Sequence, residues 1–307
     1  MTRLCTVKNV SIPKYLKRSQ IDYLLKEILP ADRSLSELYR FDFSNLSFAE
    51  PSGIALFASI VQYLISKRCG IVIYGLDEEN EAIRYLNRCG LSDFFNNKDN
   101  IKNHTVDSST LLWKDLANSE SHVWLENNLV SWLSCHLKYN TEQLRTLESN
   151  IQELFRNVDD HSTQKIGYLF SQFYPYARNP DFSKIVICVS DIGVGIPTTT
   201  RKKIPELNDG AALEWAVGDG HSSASKPNNR GVGLFELTKN IVDNCKSCVH
   251  IISGKAMLSL NGTTDKGKVA TLTSLNGTYP GTLVEIELYV RSFRPDPIDE
   301  DVINFEF

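Results

Sequence analysis

Residues 185–189 limit the folds open to this chain more than any other segment. They form an uninterrupted apolar run, Ile-Val-Ile-Cys-Val, which ends in Ser190-Asp191-Ile192-Gly193-Val194-Gly195-Ile196-Pro197. A run that short and that apolar predicts a strand buried in a sheet. Glycines at alternate positions after it permit backbone angles and close approaches that a Cβ would block. The loop is therefore expected to press against something, or to be a plain tight turn, and Asp191 sets an acceptor at the strand end.

The rest of the chain must supply the sheet, and at 307 residues it is long for a single core. Residues 39–48 alternate like a half-buried strand, Pro51-Ser52-Gly53 break the pattern, and residues 54–67 carry helical spacing. A strand over 71–74 and a helix over 79–88 complete a small α/β unit. Residues 96–122 are richer in Asn, Asp, Ser and Lys and lose periodicity, which places a boundary near residue 120. Two units follow, 1–120 and 121–307.

Composition narrows the partners. A formal charge of −4 offers no basic stripe and argues against nucleic acid. Seven cysteines without small-scaffold spacing fit reduced thiols and a cytoplasmic setting. Cys245 and Cys248 form one C-x-x-C, but no second ligand pair of the kind a zinc site needs is spaced nearby. The first 20 residues lack the apolar core of a signal peptide, and no stretch nears the roughly 18 apolar residues that span a bilayer, so no membrane contact is expected.

Three further segments carry chemistry. In a helix predicted over 144–162, Leu147, Ile151, Leu154, Phe155 and Val158 make one apolar stripe, while Glu153, Asn157 and Asp160 fall within roughly 60° of one another on the other side. A carboxylate one turn before an amide oxygen suits a water poised beside Mg²⁺, though a solvated polar face has the same spacing. Residues 228–234, Asn-Asn-Arg230-Gly231-Val232-Gly233-Leu234, open a helix carrying Leu237, Ile241 and Val242. Their free N–H groups and the positive end of the helix dipole suit a phosphate. Tyr279-Pro280-Gly281-Thr282 turns into an alternating strand over 283–289.

Each segment alone is commonplace, but in this order they carry more weight. E-x-x-x-N-x-x-D-H, D-x-G-x-G-I-P, N-R-G-V-G-L and P-G-T before a strand resemble the N, G1, G2 and G3 boxes of the GHKL ATPases (gyrase, chaperone, histidine kinase, mismatch repair) across residues 140–290. That resemblance implies a two-layer α+β sandwich, a mixed sheet with helices on one face, with ATP and Mg²⁺ as cofactors. By it Glu153 is the general base or water-orienting residue, Asn157 the Mg²⁺ ligand, and Asp160 a further carboxylate near the nucleotide. Asp191 reads the adenine amino group, Gly193 and Gly195 make room for the base, and Thr282 closes the pocket. Gly231 and Gly233, with Val232 and Leu234 in the same turn, give phosphate donors. Residues 198–230 form a lid in which Lys202, Lys203, Lys226 and Arg230 either neutralise phosphate or are solvated. The segment 211–223 resembles the pre-lid region of ATPases related to anti-sigma-factor kinases.

Residues 41–95 resemble a STAS domain of the anti-sigma-factor-antagonist kind in their strand, P-S-G turn into a helix, G-I-V-I-Y strand and C-G-L-x-x-F-F close. Ser52 occupies the place of that family's phosphoacceptor, but Glu50-Pro51 precede it where an acidic residue directly before serine is usual. A helix N-cap is the alternative. His136 lacks the acidic neighbour and following proline of a phosphoacceptor box and is expected to be packed or at the surface, and His161 to orient the end of its helix. Taken together these resemblances imply a regulator that slowly hydrolyses ATP or phosphorylates a protein Ser/Thr and so controls a protein partner. The alternatives are an ATP-gated assembly clamp without catalysis, and an N-terminal unit that only docks. Related ATPases often dimerise, so a homodimer is also expected.

Overall fold

The computed structural model describes residues 6–31, 34–91, 107–137, 144–219, 233–264 and 267–293, without the side chains of 160–164 and 293. The chain begins with β1 (Val7–Ser11), β2 (Tyr15–Leu16), α1 (Ile21–Ile28), β3 (Leu38–Asp42), β4 (Phe48–Ala49), α2 (Pro51–Ser66), β5 (Gly70–Tyr74) and α3 (Glu81–Arg88). Strands β1, β3 and β5 form a three-stranded parallel sheet in that order, and the short β2 and β4 pair beside it. Parallel neighbours need crossovers, and α1 and α2 supply them. Helix α2 begins three residues before the expected 54, with Glu50 at the N-cap and Pro51 in the first turn, where a missing N–H leaves nothing unpaired. Gly53 lets α2 lie directly on β2, since a Cβ there would stand 2.3 Å from the Leu16 carbonyl oxygen.

The second sheet is built from β6 (Thr110–Ala117), β7 (Ser162–Tyr174), β8 (Lys184–Gly193), β9 (Cys248–Asn261) and β10 (Val269–Tyr289). Between them run α4 (Asn118–Trp124), a π-helical turn (Leu125–Val130), α5 (Ser131–Leu137), α6 (Arg145–His161), α7 (Gly195–Arg201), α8 (Asp209–Ala216) and α9 (Gly233–Thr238). Strand order is β6-β7-β8-β10-β9, and every neighbouring pair is antiparallel. The sheet thus starts at Thr110, inside the stretch read as a boundary.

Two features correct the expected architecture. Parallel and antiparallel pairing are segregated into separate sheets, not mixed in one, because crossover helices join the strands of the first half while β7–β8 and β9–β10 are joined directly. The five-stranded sheet also has helices on both faces. Helices α1 and α2 sit against β10 and β8 on one side, and α6 sits against β7 and β8 on the other. Strand β8 divides its residues accordingly. Val186 and Cys188 join Leu24, Ile54 and Phe57, whereas Ile185, Ile187 and Val189 join Ile151 and Phe155. A strand buried on both faces has no position left for polar side chains, which explains its continuous apolar run.

Helix α2 is the other element enclosed on two sides. Twelve of its 16 residues are buried between the sheets, as expected for a helix apolar nearly all round. Charge enters the same interlayer at its edge. Arg18 Nη1 donates to Glu285 Oε1 at 2.9 Å and to Glu287 Oε1 at 2.6 Å. Lys184 Nζ reaches Glu287 Oε2 at 3.0 Å, and His250 Nε2 stands 3.5 Å from Glu287 Oε1. Among the described residues no helix is long and apolar enough to cross a membrane.

Candidate functional site

Helix α6 forms as its periodicity predicts, with Leu147, Ile151, Leu154, Phe155 and Val158 all buried. Glu153 and Asn157 are half-buried on its other side, one turn apart. Glu153 Oε2 accepts from Arg156 Nη1 at 2.9 Å, an exposed pair worth less than about 1 kcal/mol. The side chain of Asp160 lies outside the described residues, as does that of His161. Gly233 opens α9 against Glu153, so closely that a Cβ on Gly233 would fall 1.9 Å from Glu153 Cγ. Leu234 packs on the core beneath α6. Lys226, Arg230, Gly231 and Val232 lie outside the described residues, while Lys202 and Lys203 are exposed just past α7.

The second gathering is at the end of β8. Asp191 pairs with Thr282 on β10 and with Gly167 on β7. Burial pushes the Asp191 carboxyl up to about 7, and the Thr282 backbone N–H offsets only part of that rise. A carboxyl so placed can meet a ligand N–H without first losing a protein partner of its own charge type. Gly193 pairs with Ser162, the first residue of β7 and the residue immediately after α6, so the end of α6 and the end of β8 are adjoining. Two glycines let the backbone pack closely at this corner. Gly195 has φ of 75°, and a Cβ there would meet Ser253 Oγ at 2.6 Å. Gly281 has φ of 137°, and a Cβ there would stand 2.2 Å from the Asp191 carbonyl oxygen.

Ser253, which the sequence did not single out, ties these turns together. Its hydroxyl donates to the Gly281 carbonyl at 2.5 Å and accepts the Ile196 N–H at 3.0 Å. Asp209, at the start of α8, accepts the Lys255 N–H at 2.6 Å and binds Arg201, which anchors the segment between β8 and β9. Neither residue has a sequence signal beyond a common polar type in a loop or strand. The structure therefore brings Glu153 to Gly233, and Asp191, Gly193 and Gly195 to Thr282, with α6 linking the groups. The arrangement places a buried acceptor, Asp191, beside backbone that only glycine allows at Gly195 and Gly281. Asn157 has the oxygen that Mg²⁺ prefers. Among the described residues no three His, Cys, Asp or Glu side chains form a metal cluster of their own.

Other residues singled out in the sequence have defined places. Ser52 is the second residue of α2 rather than its N-cap and has no solvent exposure, because α2 is clasped between two sheets. His136 stacks on Phe173 at 4.4 Å, so it is a packed residue. Cys245 and Cys248 are free thiols at the start of β9, both pushed up by burial. No protein-family model matches the chain, and no curated protein matches its sequence.

Proposed function

We propose that the chain is an ATP- and Mg²⁺-binding regulatory protein of the GHKL kind, with its nucleotide site in the C-terminal half and a STAS-like N-terminal half packed behind it. It slowly hydrolyses ATP or passes the γ-phosphoryl group to a protein Ser/Thr, and nucleotide state controls binding of a protein partner. The observation that carries this reading is the Asp191 corner, where a carboxyl pushed up to about 7 by burial lies beside the glycine-only backbone of Gly195 and Gly281. Bound ATP–Mg²⁺ supplies a phosphoryl group already activated for in-line displacement. Asp191 accepts the adenine amino hydrogen bond, the free N–H groups at the start of α9 hold phosphate oxygens, and Asn157 holds the cation. Glu153, released from Arg156 at little cost, orients the attacking oxygen and takes its proton.

The pH dependence has a definite sign. A ligand that donates to Asp191 selects its ionised form, so affinity rises as that form is populated. Between pH 6 and pH 8, across a midpoint near 7, ATP affinity is expected to rise about tenfold. Calorimetric titration of ATP with and without Mg²⁺ tests the assignment. Asp191→Asn should lower affinity about 10- to 100-fold and flatten the pH profile, the scale of a hydrogen bond to a charged group. Equal affinity in the two proteins rejects it.

A second reading rests on the Glu153–Arg156 pair, in which the proposed base is already engaged. In an ATP-gated clamp that needs no base, wild type binds ATP without turnover, and Glu153→Ala changes neither. Loss of measurable turnover in Glu153→Ala with ATP affinity retained favours the catalytic reading.

A further inference from the structure

The two halves of the chain meet at more than apolar surface. Ser59, in the middle of α2, and Ser190, on β8, place their hydroxyl oxygens 2.8 Å apart, and both residues are essentially without solvent exposure. The Tyr279 hydroxyl is buried beside this pair, yet it forms no hydrogen bond of good geometry with any described residue. Ser190 is the immediate neighbour of Asp191. Because side chains alternate along a strand, Ser190 faces α2 while Asp191 faces the opposite side.

The same crossing of the sheet recurs one strand away. Tyr279, against α2, opens the irregular stretch of β10 that ends at Thr282, whose N–H holds Asp191. The pairing of β10 with β9 shifts register on either side of Tyr279, between Ser274 and Tyr279 and between Tyr279 and Thr282. Gly281, within that irregular stretch, lies against the Asp191 carbonyl. Asp191 therefore lies between two backbone segments, 190–191 and 279–282, and the first is fixed from behind by the Ser59–Ser190 hydroxyl pair. The register of β8 with β10 is unbroken from Thr282 and Asp191 onward, so the position of Thr282 relative to Asp191 follows the placement of Ser190 on β8.

We infer that the N-terminal half sets the affinity of the nucleotide site through Ser59, a positioning residue that acts on Asp191 by way of Ser190. The inference that this tunes ATP binding rests on the function proposed above; the mechanical link to Asp191 does not. A hydrogen bond between two buried hydroxyls fixes both rotamers, and removing one partner leaves the other unsatisfied. With Ser59 gone, Ser190 relaxes, the β8 backbone beside it shifts, and the Thr282 N–H bond to the Asp191 carboxyl lengthens. That bond stabilises the ionised form, so its weakening raises the Asp191 midpoint.

The test uses the full chain and the variants Ser59→Ala and Tyr279→Phe, the latter removing a hydroxyl with almost no loss of volume. Asp191 is titrated by carbon-13 NMR in the nucleotide-free protein, and ATP affinity is measured by calorimetry at pH 6, 7 and 8. Ser59→Ala should move the Asp191 midpoint up by about half a pH unit and weaken ATP at pH 7 about twofold, with the difference closing by pH 8. Tyr279→Phe removes a hydroxyl that has no partner among the described residues and should leave both unchanged. A shifted Asp191 titration in Ser59→Ala protein that binds no ATP sustains the link and rejects the ATP assignment. An unmoved midpoint in Ser59→Ala, in folded protein, overturns the link whether or not ATP binds.

Discussion

The two faces of the five-stranded sheet solve the same problem with different chemistry. Toward α6 the middle of the sheet is apolar, with Ile185, Ile187, Val189, Ile251, Ile286 and Leu288 meeting Ile151, Leu154 and Phe155. Toward α1 and α2 it mixes Val186, Cys188 and Leu283 with the ionic set around Arg18 and the hydroxyl set around Ser59. Apolar packing tolerates small slips, whereas Arg18 can bridge Glu285 and Glu287 in one position only. The apolar face supplies stability and the mixed face fixes where the N-terminal half sits.

The largest effects should separate these two kinds of burial. Phe155→Ala empties a fully buried site and is expected to cost about 3–5 kcal/mol at any pH where the protein is folded. Arg18→Met should cost a similar amount near pH 7, about 3–5 kcal/mol, because it leaves two buried carboxylates without their shared cation. The two variants should part company in acid. Burial raises Glu285, and Arg18 only partly offsets it, so its contribution is full below the ordinary glutamate range and is lost as pH rises. Burial also opposes the ionised form of Glu287, but His250, Lys184 and Arg18 outweigh burial and hold it well below that range. Its contribution is therefore present at neutral pH and lost as pH falls. In Arg18→Met both carboxylates are protonated readily, so its penalty should shrink between pH 7 and pH 4. Urea unfolding at those two pH values checks this; a penalty that stays constant would mean the charges do not define the mixed face.

A smaller effect sharpens the contrast at the rim of the sheet. Gly195→Ala puts a Cβ at a φ of 75° and against Ser253 Oγ, and should cost about 1–3 kcal/mol. It should also lower ATP affinity, because Ser253 can yield only by releasing Gly281. Denaturation and calorimetry on one sample suffice, and a stable variant with unchanged affinity would mean that the turn does not border the ligand.

What could be read in the sequence follows the same division. The apolar face was legible in two ways: one-sided burial leaves a period in the stripe on α6, and two-sided burial of β8 leaves the unbroken run over 185–189. The N-terminal β-α-β order was legible from the spacing of its apolar residues. The mixed face was not. Helix α2 was expected from the helical spacing of residues 54–67, which does not disclose that it is buried nearly all round. Glu285 and Glu287 alternate with apolar residues as on a solvated strand, and nothing local to them reports Arg18 from the other end of the chain. In the candidate site the glycines and Asp191 were marked by their motifs, while Ser253 and Ser59 depend on contacts between distant segments and have no motif.

Ser52 gives the smallest expected effect and bears most directly on the mixed face. Its hydroxyl is fully buried and has no hydrogen-bond partner among the described residues, so it carries a desolvation cost with no bond to offset it. Ser52→Ala removes that group with little change of volume and raises the local helix propensity slightly. Stability should therefore stay level or rise by up to about 1 kcal/mol, in contrast to Ser59→Ala, which breaks a formed bond. Intact-mass measurement after incubation with ATP should show no phosphate on wild type that is absent from Ser52→Ala. A phosphate on wild type that is absent from the variant would require α2 to leave its place between the sheets, and the mixed face would then be a surface that opens.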